Sequence, residues 1–127
     1  MKIKKLIFCA LASIAILYSS CAKNNKEDLL GTTNCDTTNV SYTQDIKPIL
    51  AQSCNTVGCH NATSVASGYN LEDYSSLQAV ATGPRFLGTI RHENGFSPMP
   101  KPIGTPKLDD CKIKKIEIWV AAGAPNN

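Results

Sequence analysis

The sequence predicts an all-α domain. Three or four stretches carry apolar residues at helical spacing, no stretch reads as a credible strand, and the last stretch has helix punctuation at both ends. Taken in order, Thr43 to Ser53 (TQDIKPILAQS) places Ile46, Ile49 and Leu50 on one face. Pro48 is tolerated only in the first turn or two, because it lacks an N–H and crowds the preceding turn, so the sequence leaves the start of that helix open. Leu71, Tyr74, Leu77 and Val80 make a second, short amphipathic run, and Phe86, Leu87 and Ile90 a third. The last is the clearest. Asp109 is its N-cap, Ile113, Ile116, Trp119 and Val120 form its stripe, and Gly123 before Pro125 stops it. Lys112, Lys114 and Lys115 read as its solvated face.

At 127 residues the chain has room for one domain. Its net charge of +3 comes from Lys2, Lys4 and Lys5; without them ten basic side chains face ten acidic ones. A neutral body with no Lys/Arg run argues against nucleic acid, whose binding needs a basic stripe to displace counterions.

Those three lysines precede a twelve-residue run of apolar and small residues, Leu6 to Leu17. Spanning a bilayer takes about 20 residues, so this is the core of a secretion signal and not a membrane span. Ser19 and Ser20 lead to Cys21, an arrangement that resembles the lipobox of bacterial lipoproteins, with Tyr18 where the usual leucine stands. The resemblance implies cleavage after residue 20 and a lipid on Cys21; the plainer alternative is an ordinary cleaved signal. Residues 21–40 are rich in Asn, Thr and charge without any period, and read as a flexible tether. The folded domain is then 41–127, with its body ending near Ala124. A protein core of that size is marginal and calls for additional stabilisation.

Six cysteines suggest its source. Cys9 leaves with the signal and Cys21 goes to lipid, leaving Cys35, Cys54, Cys59 and Cys111. In the group Cys54-Asn-Thr-Val-Gly-Cys59-His60, a histidine directly follows the second of two close cysteines. That is the pattern of covalent haem c attachment: two thiols add across two vinyl groups, and the adjacent imidazole ligates the iron. The alternatives are a Cys54–Cys59 disulfide or half of a zinc site, the latter short of a fourth ligand. Met99 lies in Ser97-Pro98-Met99-Pro100-Lys101-Pro102, where prolines stiffen the backbone and forbid helix. A thioether there is a soft ligand for the second axial position of iron; plugging a hole under the loop is the alternative, and His92 is the competing ligand.

The order TQDIKPIL, cysteine motif, Met-Pro loop and final helix IEIWV ending Gly123-Ala124 resembles the small single-haem cytochrome c domains of bacterial surface and periplasmic proteins, and is similar to the planctomycete-type cytochrome c family. The likeness covers residues 42 to 124. The four-residue gap between cysteines departs from the commoner two. The resemblance implies the cytochrome c-like fold with first and last helices crossing. It gives thioether roles to Cys54 and Cys59, and makes His60 the proximal and Met99 the distal ligand.

Cys111 lies seven residues before Ile118, and both point away from the apolar stripe, so Cys111 is free to meet Cys35 in a disulfide. With both axial positions filled and no acid/base pair in the sequence, the expected function is electron transfer and not catalysis. One haem c, a redox partner protein, a membrane contact through Cys21 and a monomeric state complete the expectation, on the periplasmic side or at the outer membrane. Ile49, Leu50, Leu71, Leu77, Phe86, Leu87 and Ile90 are expected to wall the haem, and Arg85 and Arg91 are either propionate partners or solvated arginines. A haem enzyme or sensor with an open sixth position, and a haem-free disulfide-held lipoprotein, are the alternatives.

Overall fold

Four helices, and no strand among the described residues, make up the computed structural model, which describes residues 35–102 and 104–127. The expected signal at 1–20, Cys9, the lipid on Cys21 and the tether up to residue 34 lie outside the described residues. Among the described residues no helix is long and apolar enough to cross a membrane.

Helix α1 is a five-residue π turn, Tyr42–Ile46, that runs into α-helical Lys47–Ser53. Ser41 and Asp45 cap it reciprocally: Gln44 N donates to Ser41 Oγ at 3.1 Å, and Ser41 N donates to the Asp45 carboxylate at 3.0 Å. The wide turn answers the proline. Ile46 N and Lys47 N reach back five residues, to Ser41 O and Tyr42 O, so the helix widens just before Pro48. Widening relieves crowding by a ring that would otherwise clash with the preceding turn.

Helix α2, Tyr74–Ala81, starts on the Asp73 carboxylate, which accepts from Ser76 N at 2.8 Å. Helix α3, Pro84–Arg91, has Pro84 in its first turn, where a missing N–H costs nothing. Helix α4, Asp110–Ala121, is capped by Asp109 as the sequence indicates, with Lys112 N donating to its carboxylate at 2.8 Å. It buries Ile113, Ile116 and Trp119, and Val120 packs at the edge.

The largest fully buried side chains are Trp119, Ile46, Leu50, Leu77 and Ile116, so the core lies among α1, α2 and α4. Tyr42 stacks on Trp119 at 5.9 Å between centroids and meets Tyr74 edge-on at 5.0 Å. No polar side chain is buried among the described residues. Directional ties join the helices at the rim: Lys115 Nζ to Asp45 Oδ1 at 2.6 Å links α4 to α1, and Arg91 Nε to Glu117 Oε1 at 2.7 Å links α3 to α4.

After α4 the chain reverses through Gly123 (φ 89°) and Ala124 (φ 51°). The tail then serves the other helices. Ala124 O accepts from Tyr74 Oη at 2.7 Å and Gln78 Nε2 at 3.2 Å, and Pro125 O accepts from Trp119 Nε1 at 2.9 Å. Asn127 takes the free N–H groups that begin α1, Tyr42 N on its Oδ1 at 2.8 Å and Thr43 N on its main-chain oxygen at 2.9 Å. These are donors that no residue within the helix can satisfy.

Cys35 and Cys111 form a disulfide with Cα atoms 5.5 Å apart, the pairing expected from sequence. Residues 35–40, placed in the tether on sequence, thus include a covalent tie at Cys35 and a core contact at Val40.

Candidate functional site

The site grows from the C-terminal end of α1. Cys54 is the residue that ends the helix, its N–H donating to Leu50 O at 2.8 Å. A tight loop follows: Cys59 N donates to Thr56 O, Gly58 turns the chain at φ 82°, and His60 N returns to Cys54 O at 3.0 Å. Only glycine adopts that φ without strain, and no atom lies within 4 Å of a Cβ built there, so the requirement is one of backbone conformation alone. The loop therefore absorbs the four-residue gap and closes on itself, with Val57 exposed at its tip. Leu71 N then donates to His60 O at 2.8 Å and Asn55 Nδ2 to Leu71 O at 3.3 Å, fixing the loop to the segment that enters α2.

Beside this loop lie two adjoining cavities of about 190 and 320 Å³. Cys54, His60, Ser67, Ser97 and Met99 line both. The first is closed by the apolar side chains of Leu71, Val80, Phe86 and Ile90; the second reaches Cys59 and Lys101. Met99, far along the chain from the cysteine motif, thus lines the same cavities as Cys54 and His60. Of the seven side chains expected there, Leu71, Phe86 and Ile90 are buried in the core and also line the first cavity, Ile49, Leu50 and Leu77 are buried without lining it, and Leu87 packs at the core's edge.

His60 is held from behind through its ring and Met99 through its main chain. His60 Nδ1 lies 3.2 Å from Tyr69 O; a carbonyl only accepts, so Nδ1 carries the hydrogen and Nε2 keeps its lone pair. That is the arrangement in which a histidine serves as a metal ligand, its far nitrogen oriented by a backbone carbonyl. Met99 N donates to Thr89 O at 3.1 Å, and the Met99–Pro100 and Lys101–Pro102 peptide bonds are cis. His92 does not line either cavity; its Nε2 lies 2.9 Å from Met99 O. Of the two arginines, Arg91 is engaged by Glu117 and Glu93, whereas Arg85 lines the first cavity and makes no ion pair among the described residues.

Cys54 and Cys59 are both unpaired thiols. Burial, and then the neighbouring Cys59, push the Cys54 thiol up to about 11, so at neutral pH it is protonated. A cysteine nucleophile or redox sensor needs the opposite, a thiolate stabilised by positive surroundings. Among the described residues no three His, Cys, Asp or Glu side chains gather as a metal site. What the wall offers is one imidazole nitrogen, one thioether, two thiols and one arginine around an apolar hollow. A flat apolar group with a metal centre and acidic edges fits that set.

Sequence reasoning missed Tyr69 and Thr89, which act through main-chain carbonyls and carry no side-chain signal, and Ser67, which reaches the wall from a left-handed turn (φ 56°). Compared with family models, with curated proteins and with solved structures, the chain matches none.

Proposed function

We propose that the chain is a single-haem c-type cytochrome, an electron carrier with a cytochrome c-like fold that is exported and held at a membrane by a lipid on Cys21. The single observation that carries the proposal is the shared lining: Cys54, His60 and Met99 line the same cavities, with Cys59 at the second. Haem bound there would supply reversible one-electron exchange at iron. Cys54 and Cys59 would hold it as thioethers, and His60 Nε2 and Met99 Sδ would hold its iron. The residues of the chain do the rest. Tyr69 O orients His60, Thr89 O holds Met99, and Leu71, Val80, Phe86 and Ile90 keep water away. Arg85 supplies a cation where an anionic edge would otherwise be lowered into an apolar wall. With both axial positions given by the chain no position is left for a substrate, so the reading is a carrier that serves a redox partner protein, and not an enzyme.

The test is attachment. Expressed with haem-attachment machinery, the full chain should carry haem through a denaturing gel, and Cys54→Ser/Cys59→Ser should carry none. A wild-type band without haem overturns the proposal.

A further inference from the structure

We propose that His92 is a positioning residue for Met99: its ring pins the Met99 main chain to the end of α3 and so fixes where the thioether stands on the cavity wall. The inference rests on the reading of Met99 as an iron ligand, and concerns what holds that ligand in place.

The loop cannot hold itself. Pro98, Pro100 and Pro102 carry no N–H, so within 97–102 only Ser97, Met99 and Lys101 can donate from the main chain. The support comes from α3 instead. Met99 N donates to Thr89 O at 3.1 Å, and Met99 O lies 2.9 Å from His92 Nε2. A carbonyl has no hydrogen to give, so His92 must carry its proton on Nε2. Both main-chain polar atoms of Met99 are thereby tied to one turn of the chain, Thr89 to His92.

His92 sits where its side chain is not needed for the backbone. It is the C-cap of α3 at φ 58°, ψ 40°, a left-handed position that glycine or asparagine fills with less strain. Its N–H reaches Thr89 O and Gly88 O, which any residue could do. The ring is the part that acts, because the chain comes back to it seven residues later. That return is packed as well as bonded: the Phe96 ring lies on Gly88, where an added Cβ would meet it at 2.5 Å, and Glu93 N donates to Gly88 O at 2.9 Å.

The experiment compares His92→Gly and His92→Gln with wild type in the full chain produced with haem-attachment machinery. Glycine suits the left-handed cap better than histidine but has no ring; glutamine offers an amide donor at similar reach. Hydrogen exchange is read on the 97–102 segment, in which only three amides exchange. Met99 exchange should quicken about tenfold in His92→Gly, the scale of one lost hydrogen bond, with part recovered in His92→Gln. In the haem-loaded protein the weak red band of a sulfur–iron(III) bond should fade in parallel. Met99 exchange in His92→Gly within about twofold of wild type overturns the clamp, because one hydrogen bond is worth more than that. So does loss of the red band without any change at Met99. If no haem attaches, the cytochrome reading fails while exchange at Met99 still decides the clamp.

Discussion

Replacing both members of the disulfide, Cys35→Ser/Cys111→Ser, tests how much of this small domain rests on one covalent tie. The bridge joins residues 76 apart, enclosing α1, α2, α3 and the start of α4. For a loop of that length, the chain-entropy relation removes about 15 cal/mol/K from the unfolded ensemble, or about 4.5 kcal/mol at 25 °C. Domains are stable by about 5–15 kcal/mol, so the loss is a third or more of the total. At about 4–8 °C per kcal/mol for a domain of this size, the midpoint should fall by roughly 20–35 °C. Trp119, the single tryptophan and almost fully buried, reports unfolding in urea by its fluorescence. If the tie acts on the unfolded chain, ΔG falls while the denaturant slope rises, because the released chain exposes more surface. Each single serine variant should lose as much as the double, since either removes the same bridge. A loss under about 1 kcal/mol with an unchanged slope would refute the reasoning.

Asp45→Asn should cost about 1–2 kcal/mol at neutral pH, because the Lys115 ammonium and Ser41 N–H both bond its half-buried carboxylate. Those bonds, the Lys115 one first, hold its carboxyl below the usual range, so the folded state binds fewer protons than the unfolded chain. The stabilisation is present above about pH 4 and lost as pH falls towards the folded value; thermal melts of wild type and variant should converge in acid and diverge at pH 7. Gly88→Ala places a Cβ within 2.5 Å of the Phe96 ring, and should destabilise by about 1–3 kcal/mol and speed exchange in residues 93–99; a neutral result would mean the loop moves freely. Met99→Ala should leave haem attached, abolish the red band, open the iron to carbon monoxide and lower the potential, whereas a retained six-coordinate spectrum would point to another ligand. Cys21→Ser should move the protein from membrane to soluble fractions; unchanged membrane association would overturn the lipobox reading.

Local chemistry was legible in the sequence. Asp109 as N-cap and the Ile113/Ile116/Trp119 stripe follow from rules that act within a few residues, and α4 has both. The Cys35–Cys111 pairing was legible for a different reason: an exported chain is expected to pair its thiols, the other cysteines were expected in other roles, and Cys111 was placed away from the core stripe. What escaped was carried by the backbone or from far along the chain. The π turn before Pro48 and the Tyr69 and Thr89 carbonyls behind His60 and Met99 are main-chain features, which nearly any side chain would permit, and the Asn127 side chain that caps Tyr42 N comes from 85 positions away. The apolar pattern also marks burial without saying against what. Ile49, Leu50 and Leu77 read the same as Leu71, Phe86 and Ile90, and all six are buried in the core, yet only the last three also line the cavity.

That division has a physical consequence for the proposed cofactor. The ties that span the longest stretches of chain gather around α1 and α4: the disulfide, the Lys115–Asp45 pair, the Tyr42–Trp119 stack and the tail from Ala124 to Asn127. The cavity is lined by the loops 54–71 and 97–101 together with Val80 of α2 and Arg85, Phe86, Thr89 and Ile90 of α3. Apolar atoms that face a cavity have fewer neighbours, and so less dispersion energy, than those in a close-packed interior. A flat apolar group held at two cysteines would supply those neighbours and join the end of α1 to both loops. The half of the domain around α1 and α4 can thus define the fold, while under the proposed function the half that would meet the iron would gain order from that group. It is there that a carrier needs ligands set by the protein and not by the strength of its own core.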